Sequence, residues 1–237
     1  MWNIINGGSK ARFQLWVFIS MTVSYWQDAH KRKLVEEADV AIIGGGIMGA
    51  ACAYWLSKRT GLKVVVIEAQ KRGSGASARN GGFVLRGLFA YYHQAVAAYG
   101  RETACRLLHF NDDTHRYLAD FVSAHGNSFF YEPCGSYLLA CSPEELQALE
   151  ESAQLMRDDG FEVEYLNTDP LKRNYHGALF NKTDVGVHSG LLVDSLFQAS
   201  GVPVYEGESV WRIDRAQGGK VKLYTTEREL TCGRVLM

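Results

Sequence analysis

The stretch VAIIGGGIMGAACAYWL, residues 40–56, limits what this chain can fold into more than any other part of it. Val40 to Ile43 form an unbroken apolar run, the mark of a parallel strand buried on both faces. Gly44, Gly46 and Gly49 follow in the spacing G-x-G-x-x-G. In that spacing the first glycine makes a tight turn and the second lets the backbone approach a pyrophosphate. The third lets the following helix pack close to the strand. The helix reads IMGAACAYWLSKRTG, with small residues early and Gly61 as its end signal. Its first N–H groups and positive dipole end would face a bound phosphate.

A glycine fingerprint gains weight from its surroundings. Here LKVVVIEAQ supplies a second apolar strand, Leu62 to Ile67, ending at Glu68, nineteen residues beyond Gly49. An acid at that place accepts hydrogen bonds from ribose hydroxyls and repels a 2′-phosphate. NADP is therefore disfavoured, while NAD and FAD stay open. An NAD enzyme would continue directly into another helix and strand. This chain instead runs QKRGSGASARNGGF, residues 70–83, a loop of small residues able to line a flat, extended ligand. Ser77 and Asn80 can hydrogen-bond phosphate or ring edges, and Arg79 can neutralise a pyrophosphate. An ordinary flexible linker has the same composition.

With 237 residues the chain can bury one large core or two small ones. Its net charge of −1 provides no field favouring nucleic acid or an anionic membrane. The five cysteines, Cys52, Cys105, Cys134, Cys141 and Cys232, form no C-x-x-C pair. Neither zinc nor a disulfide framework is indicated, a reducing cytosol fits, and no metal site is expected. Near the N-terminus, ARFQLWVFISM is too short to span a bilayer, which needs ~20 apolar residues. No small-x-small cleavage site follows it, and Met21 offers an alternative start. The basic HKRK, residues 30–33, reads as a solvated face. The expected location is cytoplasmic, with no integral membrane span and no nucleic-acid partner.

Further along, residues 101–126 carry apolar side chains at helical spacing, with Gly126 as a stop. CGSYLLAC predicts a strand. Ser142, Pro143 and Glu145 predict a capped helix running to about Asp159. FEVEYLN reads as a strand, DPLKRNY as a short helical turn and ALFNKTDVGVHSGLLV as a strand pair. VDSLFQASGV leaves room for only a short helix between Asp194 and Gly201. A strand and a short strand around Val210 follow, and KVKLYTTERELTCGRVLM reads as a hairpin.

The GGGIMG turn, the VVVIEA strand and the GASARNGGF loop together resemble the FAD-dependent amine and amino acid oxidoreductases, the family of D-amino acid oxidase, glycine oxidase and sarcosine oxidase. SYWQDA and R-N-G-G-F are most similar to its γ-glutamylputrescine oxidase-like branch. The resemblance implies AMP-side contacts from Gly44, Gly46, Gly49 and Glu68, with Ile47, Met48 and Ala69 beside them. It places Ser77, Arg79, Asn80, Gly81 and Gly82 beside the flavin and the Val210 backbone against the adenine. The implied fold is α/β, a Rossmann-like FAD/NAD(P)-binding domain with an inserted α+β cap. Residues 1–34 then form an extension, 35–90 and 200–237 the FAD domain, and 91–199 part of the cap.

Family members continue well past the length of this chain, so it is expected to be C-terminally truncated, with an exposed sheet edge at Met237 that a partner chain would cover. The implied reaction is oxidation of the C–N bond of a small amine or amino acid, with FAD taking a hydride at N5. Such chemistry requires no acid–base pair, and no catalytic residue is named. Arg86, Tyr91, Tyr92, His176 and His188 could border a pocket. Two other readings stand beside this one, a non-catalytic nucleotide-binding remnant and an NAD-dependent dehydrogenase.

Overall fold

A computed structural model describes residues 34–88 and 90–237. The readings of the apolar run, Met21 and HKRK lie outside the described residues. Val35–Met237 form one compact unit.

The unit opens as the sequence dictates. Strand β1, Leu34–Ile43, runs through a glycine turn into helix α1, Ile47–Arg59, and returns as β2, Val64–Ile67. β1 and β2 are parallel, with Val40 opposite Val64 and Ile43 opposite Ile67. All four β2 residues are buried, as an unbroken apolar strand requires. The helix stops at Arg59, short of Gly61. Thr60 leaves the helix in an extended conformation while its N–H and Oγ1 both bond Leu56 O.

The main sheet has the order β8-β2-β1-β11-β10-β9. β8 is Val204–Tyr205, parallel to β2. β9 (Arg212–Arg215), β10 (Val221–Tyr224) and β11 (Arg228–Leu236) form an antiparallel meander. The expected hairpin is therefore present. The expected sheet edge at Met237 is not, because β11 lies between β1 and β10 and the edges are β8 and β9. Only Gly233–Leu236 run past the β10 register, which ends at Cys232.

One face of this sheet is covered by α1 and by α5, Ser189–Ser200, which pack on each other. Val40, Ile42, Val64 and Val66 meet Leu192, Val193, Leu196 and Phe197 there, with Phe121 and Phe129 completing the core. Full burial of each such side chain stabilises by roughly 1.5–3 kcal/mol. The opposite face gathers Ala41, Val65, Ile67, Leu223, Leu230 and Cys232.

The middle of the chain builds a second, three-stranded sheet of order β4-β6-β5, from Ser136–Ala140, Gly177–Asn181 and Glu164–Leu166. Helices α2 (Tyr92–Tyr99), α3 (Arg101–His125) and α4 (Pro143–Asp158) pack over one of its faces around Leu108, Leu149, Met156 and Leu179. The α4 start follows its cap signals. Ser142 Oγ accepts the Glu145 N–H at 3.2 Å, Glu145 accepts the Cys141 N–H at 2.6 Å, and Pro143 opens the helix.

Four expectations are corrected. DPLKRNY forms turns, not a helix, because the Asp169 carboxylate gathers the N–H groups of Leu171, Arg173 and Tyr175 while Lys172 and Asn174 take positive φ. ALFNKTDVGVHSGLLV is not a strand pair. β6 lies in the second sheet, whereas β7 (Val185–Gly186) pairs with β3 (Phe83–Val84), and residues from Ser189 are helical. The helix ahead of Gly201 is thus a full 12 residues, starting at Ser189. Val210 lies in the connection between β8 and β9, outside any strand.

Candidate dinucleotide-binding site

The ends of β1 and β2 and the start of α1 converge at one turn. Gly44 has φ of 111°, a conformation that L side chains rarely adopt, and its N–H bonds Ile67 O at 2.9 Å. A Cβ on Gly49 would lie 2.0 Å from Gly44 O, so no larger residue fits while α1 keeps this distance from the turn. Gly46 caps α1 without a side chain, and a Cβ there would lie 3.0 Å from Ser77 Oγ.

Glu68 ends β2 with its carboxylate turned to the turn. It accepts the Gly45 N–H at 2.6 Å and the Gln70 N–H at 2.7 Å. Gly73 N–H then bonds Gly45 O at 2.9 Å, tying the loop after Ala69 back to the glycines. Ser77, in a single 3-10 turn at Ala76–Ala78, accepts the Ile47 N–H at 2.9 Å and so sits on the first amide of α1. That is the place where a helix N-terminus offers its unpaired N–H groups to an anion. Met48, the second residue of the helix, is exposed.

The 77–82 loop is held from within. Asn80 Nδ2 donates to Ser77 O at 2.9 Å and Ala76 O at 3.2 Å, and its Oδ1 accepts the Gly82 N–H at 2.8 Å. Asn80 therefore shapes the loop with its own polar atoms. Arg79 is exposed. A Cβ on Gly81 would meet the Phe83 ring at 2.8 Å. Gly82, at φ 72°, would place one 1.9 Å from Val187 O. The absence of a side chain at Gly82 leaves room for Val187 O beside the β3–β7 pair.

The segment carrying Val210 comes to the same strand ends. Glu68 N–H donates to Tyr205 O at 2.8 Å, Glu208 N–H to Glu68 O at 2.9 Å, and Gly207 N–H to Gln70 O at 2.8 Å. Val210 is half-buried on the core of Ala41, Val65 and Ile67. The sequence reading missed the network that fixes this segment. Arg228 donates to Glu208 through Nε at 2.8 Å and Nη2 at 2.6 Å, and to Glu36 at 2.9 Å. Thr225 donates to Glu208 at 2.8 Å, and the guanidinium lies 3.4 Å from the Tyr205 ring centroid. Burial alone would push the Glu208 carboxyl up, but the Arg228 and Thr225 hydrogen bonds and the Arg228 charge hold it below the usual glutamate range. No local motif announces these residues, which join β1, β8 and β11 across long stretches of chain.

Of the pocket candidates, Arg86, Tyr91 and Tyr92 line one cavity of about 410 Å³ over the second sheet. His176 and His188 are elsewhere: His188 Nδ1 caps α5 by accepting the Leu191 N–H at 3.2 Å. Among the described residues no group of His, Cys, Asp or Glu could hold a metal ion, and no helix is long and apolar enough to cross a membrane.

Residues 39–236 match the DAO family, described as FAD dependent oxidoreductase. The probable oxidoreductase OrdL of Rhizobium meliloti (strain 1021) is 29% identical over 221 residues, covering 85% of this chain and 49% of that protein. The gamma-glutamylputrescine oxidoreductase of Escherichia coli (strain K12) is 26% identical over 208 residues, covering 84% of this chain and 48% of its own. The chain thus spans about half the length of the curated relatives it matches. Glycine oxidase from Geobacillus kaustophilus shares the fold, with a TM-score of 0.66 at 24% identity over 84% of this chain and 54% of that one.

FAD is the cofactor of this family, and the turn suits it. The space at Gly46, the acid at Glu68 and the α1 N-terminus are what a dinucleotide requires. The NAD-dependent reading falls with this match. By its sequence match and its fold, the chain belongs to the DAO family of FAD-dependent oxidoreductases.

Proposed function

We propose that this chain holds FAD for oxidation of the C–N bond of a small amine or amino acid. The observation that supports it most strongly is the meeting of Glu68, Gly44–Gly49 and Ser77 over the first turn of α1. Glu68 presents two oxygens to a ribose diol, exchanging the Gly45 and Gln70 amides for the sugar's hydroxyls or sharing them. Ser77 keeps its oxygen on the Ile47 N–H and turns its hydroxyl proton outward to a phosphate oxygen. Arg79 adds positive charge, and Asn80 holds Gly81 and Gly82 in the shape that lets a flat ring lie along them.

Ile47, Met48 and Ala69 border the same cradle, and the Val210 backbone flanks the adenine end. When bound, FAD accepts the hydride equivalent. The protein's share is orientation and exclusion of water. In this reading residues 35–90 and 200–237 carry the dinucleotide. Residues 91–199 contribute the second sheet and its helices, with α5 packed on α1.

The test is anaerobic addition of a panel of primary and secondary amines and amino acids to the FAD-loaded chain. Loss of the visible flavin absorption with at least one of them supports the proposal. Retention of the band with every one, the flavin staying bound, favours the non-catalytic nucleotide-binding reading.

A further inference from the structure

The dinucleotide cradle has a second wall that the glycine turn does not supply. Glu68 is tied through its main chain to the segment that leaves β8: its N–H donates to Tyr205 O, and its C=O accepts the Glu208 N–H. Arg72 extends this lacing, its N–H donating to Glu206 Oε1 at 2.8 Å. Beyond that point the chain is anchored twice on the turn between β10 and β11. Glu208 is one anchor, held by Arg228 and Thr225. Trp211 is the other, its N–H donating to Tyr224 O at 3.0 Å and its Nε1 to Thr225 O at 3.2 Å.

Ser209 and Val210 span the gap between the two anchors. The main-chain N–H and C=O of both residues have no partner among the described residues. Ser209 is exposed and Val210 half-buried. A short stretch fixed at both ends, with its polar main-chain groups unspent, can hydrogen-bond a ligand at small entropic cost. It adjoins the acid assigned to the ribose, and the group a ribose carries next to it is the base. Adenine sets an acceptor, N1, beside a 6-amino donor, which suits a fixed N–H and C=O. A 6-oxo purine reverses both.

The Glu208 anchor is buried. Arg228 and Glu208 are 8% and 7% exposed, and Thr225 is fully enclosed. Arg228 Nε meets Glu208 Oε2 while Nη2 meets Oε1, a two-point grip that fixes the orientation of the carboxylate as well as its place.

We propose that Arg228 is a positioning residue for the adenine end of the dinucleotide: through Glu208 it fixes the 208–211 main chain beside Glu68, and so makes the site prefer a 6-amino to a 6-oxo purine. The proposal rests on the FAD reading of the cradle.

ADP and IDP are matched probes, identical in ribose and diphosphate and different only in the base. Calorimetric titration of the unaltered chain should show ADP binding about tenfold more tightly than IDP, the range for one or two neutral hydrogen bonds. Arg228→Lys keeps the charge but gives up the two-point grip. It should weaken ADP at least about fivefold, leave IDP within about twofold, and bring the ratio towards one. Glu208→Gln, nearly the same shape, should lower the ratio too, and it serves where Arg228→Lys does not fold. A merely structural role would weaken both nucleotides in parallel. That result, an unchanged ratio in both variants, or equal binding of ADP and IDP by the unaltered chain overturns this proposal alone. Binding of neither nucleotide overturns the FAD reading and the proposal with it.

Discussion

The Gly49→Ala substitution tests the geometry of the cradle with a single methyl group. The new Cβ would lie 2.0 Å from Gly44 O, whereas real Cβ atoms essentially never come within 3.0 Å of such a neighbour. The obstacle is backbone, so no side chain can swing aside. Helix α1 must retreat from the turn by about 1 Å at its first residues, against the packing of Ala50 and Ala53 into the main core. Overpacking of this kind typically costs ~1–3 kcal/mol.

The same retreat pulls the α1 amides away from a pyrophosphate. Losing one or two bonds to a charged group, at ~1.5–3 kcal/mol each, weakens FAD binding at least about tenfold. Flavin fluorescence quenching measures the affinity, and urea unfolding the stability. Gly61→Ala is the control, since nothing lies within 4 Å of its Cβ and its φ is not positive. An unchanged midpoint and unchanged FAD affinity in Gly49→Ala, or equal damage in Gly61→Ala, would refute the reasoning.

Gly46→Val sets a branched side chain against Ser77 Oγ, already 3.0 Å from a Cβ, and should abolish flavin retention on a desalting column. A variant that stays yellow would place the ligand elsewhere. Glu68→Ala removes both carboxylate oxygens at the turn and should weaken FAD more than tenfold by the same titration, about 1.4 kcal/mol or more. Unchanged affinity would remove the ribose role from Glu68. Stability against pH reports on Glu208, whose folded pKa is lowered. Its contribution is complete above the ordinary glutamate value of about 4.3 and is lost as pH falls through the lower folded value. Arg228→Met leaves a buried acid with the Thr225 hydrogen bond but no counter-charge, so burial dominates and the contribution of Glu208, isolated by comparison with Glu208→Gln, should instead fall as pH rises. The same acid limb in both chains would contradict the Arg228 assignment.

What could be read from the sequence was local. The β1–α1–β2 unit announced itself through an apolar run, three glycines and an acid within thirty residues. The α4 helix did so through Ser142, Pro143 and Glu145, whose cap is made by neighbours in sequence. Helix α5 was misread because Leu191, Leu192 and Val193 make an apolar run that suits a strand equally well. Its cap, His188, is not one of the residues that usually signal a helix start.

Strands β3 and β7 are two residues each and pair across about a hundred residues, so no window of sequence contains the signal. The Glu208–Arg228–Glu36 network has the same character. In the candidate site, the residue types at Glu68, Ser77 and Asn80 were legible. Their partners were not: Ser77 sits on the α1 amide, and Asn80 spends its polar atoms on its own loop.

The most direct test of the central claim is gel filtration of the purified chain after incubation with excess FAD, read by visible absorption and far-UV circular dichroism. The account predicts a folded protein peak carrying the flavin band at close to one FAD per chain. A folded chain that elutes without flavin would contradict it.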